Sequence, residues 1–218
     1  MINQRINQLI KYAKDNLYLD MDDDYYAVNQ ILYLLKLNAF KKIEISDPVD
    51  FFEVMDFVLD YAVKKKIIID TVTEKDAFEA KIIDCLLPRP SELDRMFYKY
   101  YKTGPMTATN FFHKLSIASN YIKTRRIAKN IHYRYVGKYA PLDITINLSK
   151  PEKDPKDIQK QSKISGDYPA CALCMENMGI YQGTHLAPRS NHRVINLTLN
   201  HEKDAWGFQY SPYAYFNE

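Results

Sequence analysis

Near residue 130 the hydrophobic period of this chain changes from that of a helix to that of a strand, which restricts it to an α+β architecture. Before the change, Ile2, Ile6, Leu9, Ile10, Ala13 and Leu17 fall on one helical face. Tyr26, Ala27, Ile31, Leu34 and Leu35 repeat the spacing behind Asp22, Asp23 and Asp24, whose charges suit a helix start. Asp47 and Pro48 announce another helix carrying Phe51, Phe52, Val54, Met55, Val58, Leu59 and Ala62. Pro88 and Pro90 interrupt the pattern and set off a helix over residues 91–101. Thr107 is the predicted N-cap of a further one that carries Phe111, Phe112, Leu115, Ile117 and Ala118. After the change, Leu142, Ile144, Ile146 and Leu148 alternate with Asp143, Thr145 and Asn147, as a half-buried strand requires. Residues 193–199 repeat that alternation, and residues 208–216 are aromatic and strand-like. The charged, proline-punctuated stretch 150–163 reads as a loop.

The layout predicts a helical region over residues 1–128 and the opening strands of an antiparallel sheet over residues 129–218. A sheet begun this late has few residues left to complete itself. That predicts a piece of a longer protein, whose open strand near residues 213–218 favours self-association. The chain of 218 residues is long enough for a proper core without disulfides. Three cysteines, an odd number, argue against a disulfide framework. A net charge of +3 is too small to imply a nucleic-acid or membrane partner by itself. No signal-peptide pattern and no membrane-length apolar run occur, so a cytoplasmic protein is expected.

Few residues announce chemistry. Cys171-Ala172-Leu173-Cys174 places two thiols at the CxxC spacing, which suits one zinc ion bound from a tight turn. His185, His192 and His201 are the nearest candidates to complete such a site. A redox pair and two ordinary turn cysteines are the alternatives. Residues 122–138 carry Lys123, Arg125, Arg126, Lys129, Arg134 and Lys138 with no acidic residue, and Tyr121, Tyr133 and Tyr135 are interleaved. Such a stretch can meet phosphate groups or single-stranded nucleic acid, or it can be a solvated basic face. A zinc-containing nucleic-acid-binding module is therefore the alternative function. Asn191-His192-Arg193 puts an imidazole beside a guanidinium, the fork that suits phosphate, although such a pair is more often found on the surface. His113 and His132 read as structural. No P-loop, GxGxxG, HExxH or GxSxG pattern occurs, and no nucleophile with a matching base can be picked out.

Four stretches together resemble the second, bacterial type of UDP-glucose–hexose-1-phosphate uridylyltransferase. They are Asn120-Tyr121-Ile122 through Arg126-Ile127-Ala128-Lys129-Asn130-Ile131; Leu142-Asp143-Ile144-Thr145-Ile146-Asn147-Leu148-Ser149-Lys150-Pro151-Glu152-Lys153-Asp154-Pro155-Lys156; Tyr168-Pro169-Ala170-Cys171-Ala172-Leu173-Cys174-Met175-Glu176-Asn177; and Asn191-His192-Arg193-Val194-Ile195 with Trp206-Gly207-Phe208-Gln209-Tyr210-Ser211-Pro212-Tyr213. The resemblance implies a HIT-like α+β half-barrel behind a helical extension. It implies uridylyl transfer between UDP-glucose and galactose 1-phosphate through a uridylyl-histidine. It also implies that Cys171 and Cys174 form half of a structural zinc site, that Lys150, Lys153 and Arg193 contact phosphate, and that Phe208, Gln209 and Tyr210 line the nucleotide, with no organic cofactor. The family's nucleophile lies in a Gly-Gly-Ser…His-x-His segment, and no His-x-His occurs among the five histidines here. No catalytic residue is therefore assigned, and the chain alone is expected to be inactive. Where the family reads Asn-His-Pro-Ala-Arg, this sequence has Thr184-His185-Leu186-Ala187-Pro188-Arg189.

Overall fold

The computed structural model describes residues 1–148, 168, 173, 175–181, 189–197 and 206–213. Among them, helices α1 (Ile2–Asn16), α2 (Asp24–Leu34), α3 (Phe51–Lys64), α4 (Val72–Asp84), α5 (Pro90–Tyr101), α6 (Pro105–Ala118) and the single turn α7 (Thr124–Ile127) precede the strands. The strands form two antiparallel pairs, β1 (Ile131–Val136) with β2 (Pro141–Ile146) and β3 (Ile195–Asn196) with β4 (Gly207–Phe208). The architecture is α+β with an incomplete antiparallel sheet, as the change of period predicts. None of the described helices is long and apolar enough to cross a membrane.

Local chemistry sets the helix boundaries. Asp50 caps α3 by accepting from the backbone of Phe52 and Glu53, and Thr71 caps α4 through the Glu74 amide. Pro90 and Pro105 occupy the first turns of α5 and α6, where a missing N–H costs nothing. Thr107 is thus already inside α6, whose N-cap is Gly104. With only six glycines in the chain, helices end on other residues in the left-handed region. Lys36 (φ 53°) and Lys66 (φ 56°) close α2 and α3, with the amides of Leu37 and Ile67 reaching back to Leu32 and Ala62. Asn120 (φ 48°) closes α6, a conformation asparagine tolerates better than most residues.

The helices share one core, built on Ile6, Leu9, Met55, Val58, Ile82, Ile83, Leu93, Phe112 and Leu115. Strand β3 belongs to that core through Ile195, which is completely buried. The α5–α6 hairpin is its platform. Tyr98 donates to the Asn196 carbonyl (2.6 Å), Asp94 accepts from the Asn196 amide (3.1 Å), and Tyr210 donates to the Thr109 carbonyl (2.9 Å). Phe208 packs its ring 5.5 Å from Phe112 and 6.1 Å from Phe97. The strands over this platform, β3 and β4, are shorter than the alternation at 193–199 and 208–216 predicts. Residues 198–205 and 214–218 lie outside the described residues.

Gly207 is required where β4 crosses Val194. A Cβ there would stand 2.6 Å from Val194 Cγ1, and Val194 is buried. A β-branched side chain cannot swing away freely. Gly207→Ala is expected to destabilise the fold by about 1–3 kcal/mol, read as a lower urea midpoint; an unchanged midpoint would show that β4 is not seated on Val194.

The β1–β2 ribbon is different. Its register pairs Ile131 with Ile146, Tyr133 with Ile144 and Tyr135 with Leu142, all on one face, while His132, Arg134, Asp143 and Thr145 occupy the other. Both strands are largely exposed. The Leu148 amide donates to Asn130 Oδ1 (2.9 Å) and closes the open end of the ribbon.

Candidate functional site

Residues 189–194 form a tight turn between helix α4, the α4–α5 connection and the end of α6. Arg193 fixes it. Its guanidinium meets Asp84 Oδ1 (2.8 Å) and donates to the carbonyls of Pro88 (3.2 Å), Ser190 (3.1 Å) and His192 (2.9 Å). Its side chain is 7% exposed and that of Asp84 17%. Burial pushes the Asp84 carboxyl above its ordinary range, and Arg193 pulls it back. Beside it, Asn191 is buried and donates to the Ser119 carbonyl (3.1 Å).

His192 is buried, not a surface residue: its exposure is 0%. Nδ1 lies 3.1 Å from the Tyr121 hydroxyl and Nε2 lies 3.4 Å from the Leu173 carbonyl. A carbonyl can only accept, so Nε2 carries the proton; in the neutral ring Nδ1 then accepts from Tyr121. Burial pushes the imidazole down to about 4, and Arg189 and Arg193 add to the effect against the Leu173 carbonyl. The Gln209 amide donates to the same Leu173 carbonyl (3.1 Å). Leu173 lies between Cys171 and Cys174. The asparagine-histidine-arginine turn and the start of the Gln209–Tyr210 segment therefore meet at one backbone oxygen, that of Leu173.

The residues expected to act divide accordingly. Arg193 and Gln209 are brought together around His192. Phe208 lies in the aromatic platform, and Tyr210 stacks 4.9 Å from His113. Lys150, Lys153, Cys171, Cys174, His185 and His201 lie outside the described residues, among which no three His, Cys, Asp or Glu side chains are grouped as a metal site. Both ring nitrogens of His192 are engaged, so in this arrangement it offers zinc no lone pair. The remaining thiol, Cys85, donates to the Lys81 carbonyl and is pushed up to about 12, mainly by burial. Tyr121 was visible in the sequence only as part of the basic stretch and of the first family-like stretch, with no role assigned to it. Asp84 carried no signal at all.

Three of the six cations of that basic stretch are neutralised at close range. Lys123 pairs with Glu79 (2.7 Å), Arg126 forks onto Asp76 (2.6 and 2.8 Å), and Arg125 meets Asp56 (3.2 Å) while lying over the Phe52 ring. These carboxylates come from α3 and α4, far away in sequence. An oligonucleotide would find few free cations here. Two openings flank the turn. Arg193 faces a cleft of about 960 Å³ beside Asp84, Arg89, Arg95 and Met178, and Arg189 faces a cavity of about 160 Å³.

Comparison with known proteins agrees with these motifs. Residues 18–197 match the family model described as "Galactose-1-phosphate uridyl transferase, N-terminal domain". A galactose-1-phosphate uridylyltransferase of Clostridium acetobutylicum is 46% identical over 220 residues, covering 100% of this chain and 44% of the relative. Namesakes from Fusobacterium nucleatum (43% identical, 98% of this chain, 42% of the relative) and Lactococcus lactis (41%, 100% and 44%) are similar to it in the same way. The chain thus spans less than half the length of these curated relatives. No solved structure matches it. On its matched residues and its full-length similarity, the chain belongs to the galactose-1-phosphate uridyl transferase family, of which it carries the N-terminal domain.

Proposed function

We propose that this chain is the N-terminal portion of an enzyme that moves a uridylyl group between UDP-glucose and galactose 1-phosphate in the cytoplasm. In the first half-reaction a histidine nitrogen attacks the α-phosphorus of UDP-glucose, and glucose 1-phosphate leaves. In the second, a phosphate oxygen of galactose 1-phosphate attacks the same phosphorus and frees the histidine as UDP-galactose departs. Splitting one displacement into two is the gain of a nitrogen nucleophile. Fixed cations and donors around the phosphates supply the stabilisation.

What supports this reading most is the meeting at the Leu173 carbonyl of two of the family-like stretches, the one through Leu173 and the one that holds both His192 and Gln209. Lys150 and Lys153 are proposed to meet the phosphates, and Phe208, Gln209 and Tyr210 to line the nucleotide. Arg193, engaged on Asp84, contributes by holding the His192 turn. Cys171 and Cys174 suit zinc as paired thiolates, and such an ion would pin the loop. The strands are taken as the beginning of a HIT-like sheet, whose open edges favour self-association until it is completed. The nucleophile is not among the five histidines here, since none forms His-x-His.

The test is exchange of labelled glucose 1-phosphate into UDP-glucose. The chain alone should show none, and the chain joined to the remaining length of the Clostridium acetobutylicum relative should show it. Turnover by the chain alone would place the nucleophile within it. Absence of exchange in both, with the fusion folded, would remove the activity.

A further inference from the structure

We infer that the cavity between α4 and the 212–213 turn binds a dianionic phosphoryl group, with Arg189 as its principal ligand. The cavity is lined by Arg189, Lys123, Tyr121, Asn191, Tyr213 and Asp76, among others, and holds about 160 Å³. That is room for roughly five waters at ~30 Å³ each, enough for a phosphoryl group and its shell. It is below the ~300 Å³ at which pockets enclose a whole drug-sized ligand.

Charge accounting singles out Arg189. Lys123 is matched by Glu79, and Asp76 is matched by Arg126. Among the described residues Arg189 meets no carboxylate; its guanidinium lies 5.9 Å from the Tyr213 ring centroid and acts on the Tyr121 hydroxyl. Among the described residues the wall therefore carries one positive charge in excess. A guanidinium has five N–H donors, so one engaged by the Tyr121 hydroxyl leaves others to fork onto two phosphate oxygens. Lys123, only 13% exposed in its side chain, adds a second cation from the floor. Burial pushes the Tyr121 hydroxyl up and Arg189 pulls it back. Since Tyr121 also touches His192, an anion on Arg189 is in electrostatic contact with the centre of the site.

The anion site stands on this geometry alone. Identifying its ligand as a sugar 1-phosphate, in preference to free phosphate, rests on the uridylyl-transfer reading. The experiment is calorimetric titration of the 218-residue chain with inorganic phosphate, galactose 1-phosphate and UDP-glucose at matched ionic strength. Saturable binding of galactose 1-phosphate and of free phosphate is expected, weakened at least about tenfold by Arg189→Gln, as loss of charged hydrogen bonds implies. Arg189→Lys should fall between, and Arg125→Gln, which removes a cation held by Asp56, should bind as wild type does. Each variant is to keep the wild-type melting profile. Tighter binding of galactose 1-phosphate than of phosphate makes the ligand a sugar phosphate; equal affinity makes it phosphate itself. No saturable binding, equal binding by the folded Arg189→Gln protein, or binding of UDP-glucose alone would overturn the site. Phosphate binding that survives a failed exchange assay removes the activity and leaves the site.

Discussion

Arg193→Leu is expected to destabilise the protein by about 3–5 kcal/mol, the usual consequence of stranding one partner of a buried ion pair. Asp84 would remain in an environment that already pushes its carboxyl up, without the guanidinium that opposes this. The carbonyls of Pro88, Ser190 and His192 would lose their donor as well. Lysine should not rescue the site, because one ammonium cannot reproduce a planar fork serving four acceptors. The double variant Asp84→Leu/Arg193→Leu should recover a substantial part of the loss, since no unpaired charge is left behind. Urea denaturation of the three proteins measures this. Equal destabilisation of single and double variants would mean that the stranded carboxylate is not what costs stability. The loss matters for function because the same guanidinium holds the turn that presents His192 to Leu173.

The second large effect is acid sensitivity through His192. Its imidazole titrates near 6.5 in an unfolded chain and near 4 when buried here. Between those values the unfolded chain binds a proton that the folded one does not, so stability falls as pH falls. The contribution is fully present above pH 6.5 and is lost by about pH 4; its size is on the order of 3 kcal/mol. Asp84 and Asp94, both raised mainly by burial, work in the opposite direction and favour the fold at low pH. The informative quantity is therefore the difference between wild type and His192→Asn. That difference should shrink steadily from pH 6.5 to pH 4 as the wild type loses its advantage. A difference constant across the window would mean that His192 is not held neutral.

Much of the fold was legible because some helices bury one clean face. Ile6, Leu9, Ile10 and Ala13 in α1, and Val54, Met55, Val58 and Ala62 in α3, read directly as helical stripes. Helix α4 did not, because its first turn and a half, Val72–Asp76, is polar or exposed, and only Phe78, Ala80, Ile82 and Ile83 supply buried apolar contact. Strands β3 and β4 were overestimated in length because the alternation at Ile195 and Leu197 reports which side chains could face inward, not how long pairing persists. The site was legible as motifs and illegible as contacts. Nothing local marks Asp84 as the partner of Arg193, 109 residues away, or Glu79 and Asp76 as the carboxylates that neutralise Lys123 and Arg126. Reading His192 as a surface residue failed for the same reason. Its contacts with Tyr121 and with the Leu173 carbonyl are ones that only the fold brings together.

The ring of His192 reports that meeting directly. Nuclear magnetic resonance of the nitrogen-labelled imidazole should find a neutral ring protonated at Nε2, with Nδ1 bare, titrating near pH 4. A ring that exchanges between both tautomers and titrates near 6.5 would overturn this arrangement, because it would place His192 in water, away from Tyr121 and Leu173.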